Sequence, residues 1–309
     1  MPSPPAASCP RCGAPRILAP ECPQCGVYYL KAQSRVAQPA PAPMPDLPAP
    51  PPEETVSWQG GNEEARLEWQ IRLWALPVAL LLTWGLHSTG MGHRLLRIFL
   101  SMWIHEFGHA LTAWLTGFVA FPGPWATSIA EVRSPFFSVL LAAGFGALVF
   151  RGWRHQHRPT LIAGLVLLGL QGVGTLIVRP GMARSFITFG GDGGCLVLGT
   201  LLMTTLYASR DSSLHKGWLR WGFLVIGAAA FTDAFKTWWS ARSNWGAIPF
   251  GRIEGVGLSD PARLTDWFGW SVNAMISRYV TLGWLCLAVL AAVYVAGALK
   301  ARAALRTLV

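Results

Sequence analysis

Apolar positions in this chain gather into long runs, and the polar positions fall mostly in the short stretches between them. Runs such as Thr160 to Val178 and Tyr279 to Leu299 are almost unbroken. Each approaches the roughly 20 residues that cross a bilayer as a helix. Read this way, the pattern predicts seven spans, at about 71–87, 95–117, 134–150, 160–178, 187–208, 218–238 and 279–299, within a range of about six to eight. The expected fold is an all-α polytopic membrane protein. Two stretches break the pattern. Residues 118–133 include Phe121-Pro122-Gly123-Pro124-Trp125, too rich in proline for a span and too apolar for an ordinary loop, and predict a re-entrant or interfacial segment. Residues 240–278 form a long connection rich in glycine and tryptophan, expected outside the membrane.

Composition agrees. The chain of 309 residues is 52% hydrophobic and only 13% charged, where a soluble domain carries about 25% charged residues. Many of its 16 tryptophans lie near run ends, among them Trp69, Trp74, Trp218, Trp221, Trp238 and Trp239, where indoles favour the headgroup level. The net charge of +10 is scattered over connections rather than gathered on one face, which argues against nucleic acid as a partner. The lipid bilayer is the partner this distribution fits.

The first residues differ from all that follows. Cys9, Cys12, Cys22 and Cys25 form two knuckles, Cys-Pro-Arg-Cys-Gly and Cys-Pro-Gln-Cys-Gly. In each, proline shapes the turn and glycine allows positive φ, so that backbone amides point at the thiolates. Four thiolates from two such turns can surround one tetrahedral zinc, and a segment this small has no apolar core of its own. Two disulfides are the alternative, disfavoured in a reduced compartment. The N-terminus shows no signal peptide and is expected in the cytoplasm. Residues 1–35 are therefore read as a structural-zinc ribbon, 36–57 as a linker with eight prolines between Pro39 and Pro52, and 58–309 as the membrane domain. The basic tail around Lys300, Arg302 and Arg306 favours a cytoplasmic C-terminus, whereas seven spans place it outside; one miscounted span accounts for the conflict.

Chemistry concentrates in the second run. His105-Glu106-Phe107-Gly108-His109 is an H-E-x-x-H pattern. Histidines four apart share one helix face and can reach a single zinc, while Glu106, about 100° around the helix, is free to act on water. A charged group at bilayer depth costs about 2.5 to 3.5 kcal/mol, so three polar residues in one apolar span require a compensating role. A catalytic zinc needs a third ligand, and the expected spans hold only three carboxylates: Glu106, Asp192 and Asp233. Asp192 sits in Phe189-Gly190-Gly191-Asp192-Gly193-Gly194, where small residues permit close helix packing, and is the preferred ligand. Asp233 has a local partner in Lys236, one turn later. His87, His93, His155, His157 and His215 lie near run ends or in connections and are read as interfacial, and Cys195 and Cys286 as small core residues.

The run His105 to Gly117, the proline- and glycine-bearing stretch after it and a later Asp-Gly together resemble the site-2 protease family of intramembrane zinc metalloproteases. The resemblance covers about residues 95–208. It implies a three-helix catalytic core in which His105, His109 and Asp192 hold the catalytic zinc and Glu106 is the general acid/base. The substrates would be transmembrane or membrane-proximal segments of membrane proteins, with Phe118 to Arg133 holding the unwound strand through Phe121, Pro122, Gly123, Pro124 and Trp125. The family's asparagine-bearing element is missing: no asparagine occurs from Gln70 to Ala241. The N-terminal segment, from Cys9 to about Lys31, resembles the zinc ribbons at the ends of many bacterial proteins, which implies a cytosolic protein partner and residence in a bacterial inner membrane. A second function class stays open, a non-proteolytic membrane protein whose His/Glu/Asp site is structural or conducts ions.

Overall fold

The computed structural model describes residues 8, 9, 11–15, 17–29, 60–209, 212–215, 218–253 and 257–306. The chain divides into two units, Met1–Trp58 and Gln59–Val309. The expected linker, residues 36–57, lies outside the described residues.

In the first unit the two knuckles have the same build. The amide of Gly13 donates to the Cys9 carbonyl at 2.9 Å, and that of Gly26 to the Cys22 carbonyl at 2.9 Å. Both glycines have positive φ, 73° and 67°, as a turn of this kind requires. The four sulfurs converge: Cys9 and Cys25 Sγ are 3.7 Å apart, as are Cys12 and Cys22 Sγ. These separations exclude disulfides, whose sulfurs stand about 2 Å apart.

The second unit is mostly helical. Helix α1, Gly60–His87, is followed by α2, Gly90–Leu96, whose first turn is capped by the Thr89 side chain accepting from the Gly92 amide. A π-helical turn, Arg97–Ser101, joins α2 to α3, Met102–Leu115. After a short antiparallel hairpin come α4, Pro135–Arg154, and α5, Arg158–Gly172. Then follow α6, Pro180–Thr204, α7, Leu219–Ala241, α8, Asp260–Asp266, and α9, Val272–Arg306. Proline opens α4, α5 and α6, where its missing N–H costs nothing.

Among the described residues, five helical stretches are long and apolar enough to cross a membrane: Glu63–His87, Pro135–Arg154, Arg158–Ile177, Pro180–Tyr207 and Val272–Arg306. The expected spans at 95–117 and 218–238 are helical but do not join them. Both carry the polar residues of the interior: α3 buries His105, Glu106 and His109, and α7 buries Asp233 and Thr232. Helix α3 has only 14 residues, and the charges of Arg220, Asp233 and Lys236 interrupt the apolar run of α7. Burial divides the five as well: Pro180–Tyr207 is mostly buried within the molecule, whereas Pro135–Arg154 is hardly buried. Helix α6 is therefore central, while α4 exposes apolar side chains such as Phe136 and Val139.

Residues 118–133 form neither helix nor plain loop. Strand β1, Phe118–Pro122, pairs antiparallel with β2, Thr127–Arg133, with a register shift between Phe118 and Ala120. Arg133 anchors the hairpin, donating to the carbonyls of Gly174, Thr175 and Val178, in and just after the π-helical turn Val173–Ile177 that follows α5. The connection at 240–278 also carries regular structure: β3, Arg252–Ile253, pairs with β4, Gly257–Leu258, and β4 leads into α8.

The main core lies between α6, α7 and α9. Phe189 and Trp238 stack on either side of Tyr279, with ring centroids 4.2 and 4.1 Å away. Leu196, Met203, Leu264 and Met275 belong to the same core.

Candidate metal centre

Helices α3 and α6 approach closely enough that a side chain would not fit between them. A Cβ on Gly108 would stand 2.2 Å from the Gly190 carbonyl oxygen. One on Gly191 would meet His105 Cε1 at 2.5 Å and His109 Nε2 at 2.6 Å. The glycines around Asp192 thus make room for the two imidazoles as well as for the helix contact.

His105 and His109, one turn apart on α3, point their Nε2 atoms at a common place, 3.2 Å from each other. Asp260, the first residue of α8, brings Oδ2 to 3.0 Å from both. Tetrahedral ligands about 2.05 Å from a zinc ion stand about 3.3 Å apart, so these three atoms have the spacing of one face of a zinc tetrahedron. The far sides of the rings fix their tautomers. His109 Nδ1 is 2.7 Å from the Ile187 carbonyl oxygen, which can only accept, so Nδ1 carries the proton. His105 Nδ1 donates to Asp192 Oδ1 at 3.0 Å. In neutral imidazoles this leaves lone pairs on both Nε2 atoms, facing a carboxylate oxygen. Three such acceptors converging on one place could hold a metal ion.

Asp192 therefore stands outside the triad expected to include it. It holds the opposite side of His105, and its Oδ2 accepts from Trp238 Nε1 at 2.8 Å. The carboxylate near both Nε2 atoms is Asp260, which lies outside the expected spans. Burial raises the Asp260 carboxyl, but His109 and His105 outweigh burial and hold it below the usual carboxylate range. The visible signal was Ser259-Asp260-Pro261, a helix-start pattern inside the long connection.

Glu106 is buried beside the triad, and the Thr127 hydroxyl lies 2.8 Å from both its Oε2 and its carbonyl oxygen. One cavity of about 430 Å³ adjoins His105, Glu106, His109 and Asp260. The hairpin supplies Trp125, Ala126, Thr127 and Ile129 to its wall. Phe121, Pro122, Gly123 and Pro124, expected at a substrate site, are not among its lining residues, and Phe121 is exposed.

Two other expectations change. Asp233 does not pair with Lys236: its Oδ2 accepts from Arg97 Nη1 at 2.9 Å and Ser101 Oγ at 2.7 Å. Lys236 instead donates to the Trp84 carbonyl and the Ser88 hydroxyl. His87 and His93 are not both interfacial, since they gather against Asp233. His155 and His157 are exposed, and Cys195 is buried, its Sγ 3.7 Å from Ser101 Oγ.

The cysteine cluster has a donor set of a different kind. Zinc–sulfur bonds of about 2.3 Å put tetrahedral thiolates about 3.8 Å apart, close to the 3.7 Å seen for two pairs. The Gln24 amide draws Cys22 down to about 6. The Val27 amide favours the Cys25 thiolate too, but burial and the other three sulfurs push that thiol up to about 12.

Comparison with protein-family models, with curated proteins and with solved structures returned no match.

Proposed function

We propose that this chain is a zinc-dependent endopeptidase of the membrane, with His105, His109 and Asp260 as metal ligands and Glu106 as general acid/base. The observation that carries the reading is the convergence of two Nε2 lone pairs and one carboxylate oxygen, 3.0 to 3.2 Å apart, at the wall of a cavity. Two histidines and a carboxylate also suit ferrous iron. A buried glutamate one residue from the first histidine, open to the same cavity, favours a hydrolytic metal. In this reading the interior helices α2–α3 and α7 join the five apolar helices as spans, and the four cysteines hold a structural zinc.

Zinc at this site would polarise a peptide carbonyl and bring the pKa of water toward about 7. The residues of the chain do the rest. Glu106 accepts the proton from the attacking water and passes it to the departing amine. Thr127 donates to the Glu106 carboxylate and keeps it in one orientation. Asp192, held by Trp238, fixes the His105 tautomer and ring plane. A helical substrate must unwind to expose a carbonyl, and the hairpin beside Glu106 offers an extended backbone for it to pair with. Trp125 and Ile129 would contact its side chains.

The test is metal-dependent cleavage. The purified chain, mixed in detergent with a panel of single-span membrane proteins, should cut at least one of them, lose that activity to a chelator and regain it with zinc. Cleavage that survives complete metal removal would refute the assignment.

A further inference from the structure

A second group of metal-ligating side chains lies apart from the His105 triad. His87 is at the end of α1, His93 is in α2 and Asp233 is in α7. Asp233 Oδ1 is 3.4 Å from His87 Nε2 and 3.2 Å from His93 Nε2, and the two imidazole centroids are 4.2 Å apart. A plain ion pair between protonated histidines and aspartate would use hydrogen bonds. Instead neither ring nitrogen of His87 nor Oδ1 of Asp233 makes one, although the Asp233 side chain is 0% exposed and that of His87 9%. An unbonded imidazole and carboxylate oxygen at this depth would cost free energy unless something bound them. The other oxygen is satisfied, since Oδ2 accepts from Arg97 and Ser101. Asp233 is therefore held with one oxygen presented to two imidazoles.

We infer that His87 Nε2, His93 Nε2 and Asp233 Oδ1 form a second transition-metal site, which takes a zinc-class divalent ion. The 3.2 and 3.4 Å separations bracket the roughly 3.3 Å between ligands of a tetrahedral zinc. Imidazole nitrogen with a carboxylate suits zinc and excludes calcium and magnesium, which take oxygen ligands. The His93 side chain is 43% exposed, so an ion can enter from that side. Bound there, it staples the α1–α2 turn to α7. The site also touches the first through one side chain, because Arg97 Nη1 is 2.9 Å from Asp233 Oδ2 and 3.7 Å from Asp192 Oδ1. The ion is thus a structural one whose loss would loosen the support of Asp192. The inference does not rest on protease activity.

The experiment is a zinc count on the full chain in detergent, stripped with chelator, reloaded with zinc and desalted. His93→Ala should hold one ion fewer per chain than the unmutated protein, and His93→Cys should recover it, because a thiolate can replace the imidazole. His105→Ala should also lose one, and the double variant His93→Ala/His105→Ala should lose two. An equal count in His93→Ala and the unmutated chain would overturn the second site, as would a loss that His93→Cys fails to restore. A loss in His93→Ala with none in His105→Ala would leave this site standing and remove the catalytic one.

Discussion

Asp192 and Asp260 grip opposite edges of one imidazole: Asp192 Oδ1 is 3.0 Å from His105 Nδ1, and Asp260 Oδ2 is 3.0 Å from His105 Nε2. The two carboxylates therefore have different tasks. One orients the ring, and the other could join the ring in holding a metal ion.

Their substitutions should separate accordingly. Asp260→Ala should abolish zinc binding at this site. Asp192→Ala should keep the site but weaken it about 10- to 100-fold, the usual cost of losing a histidine's supporting carboxylate. Chelator competition measures both. Equal loss in the two variants would mean that Asp192 is itself a ligand.

The sequence made parts of this site plain and hid others for physical reasons. His105, Glu106 and His109 are legible because one helical turn sets their relation, whatever the rest of the chain does. The glycines flanking Asp192 are legible as a close helix contact, since Gly108 and Gly190 touch backbone to backbone. The role of Asp260 was not, because a connection folds back some 150 residues later in the chain to deliver it. Local spacing misled at Asp233, where Lys236 is the near partner in sequence but Arg97, from another helix, wins in space. Proline and glycine marked 118–133 as non-helical, and the two strands pair around the turn those residues make, a hairpin that the run of apolar positions alone does not specify.

The contact of α3 with α6 should tolerate no added carbon. Gly108→Ala places Cβ against the Gly190 carbonyl, a backbone atom that cannot rotate away. Overpacking of this kind costs about 1 to 3 kcal/mol. Gly144→Ala, with nothing within 4 Å of its Cβ, should be neutral. Thermal unfolding in detergent should show a lower midpoint for Gly108→Ala alone.

Thr127→Val removes the hydroxyl beside Glu106 while keeping the shape of the hairpin residue. A hydrogen bond to a charged group contributes about 1.5 to 3 kcal/mol, so kcat should fall roughly 10- to 100-fold with zinc content unchanged. Loss of zinc in this variant would show a structural role instead.

The cysteine unit should take up zinc with release of protons at pH 7. Cys22, held near 6, is already a thiolate there, whereas Cys25, raised to about 12, gives up its proton only to the metal. Protons and zinc compete for the same sulfurs, so affinity rises as the pH increases through the range above 6 and weakens as it falls. Calorimetric titration in two buffers of different ionisation enthalpy counts the protons released. A buffer-independent heat would contradict the assignment.

Glu106→Gln tests the central claim most directly, because it removes the proton carrier and leaves the three proposed ligands in place. Cleavage of a single-span protein that the unmutated chain cuts should fall by about 10²- to 10⁴-fold, with zinc content at the His105 site unchanged. Cleavage at the unmutated rate would contradict the account.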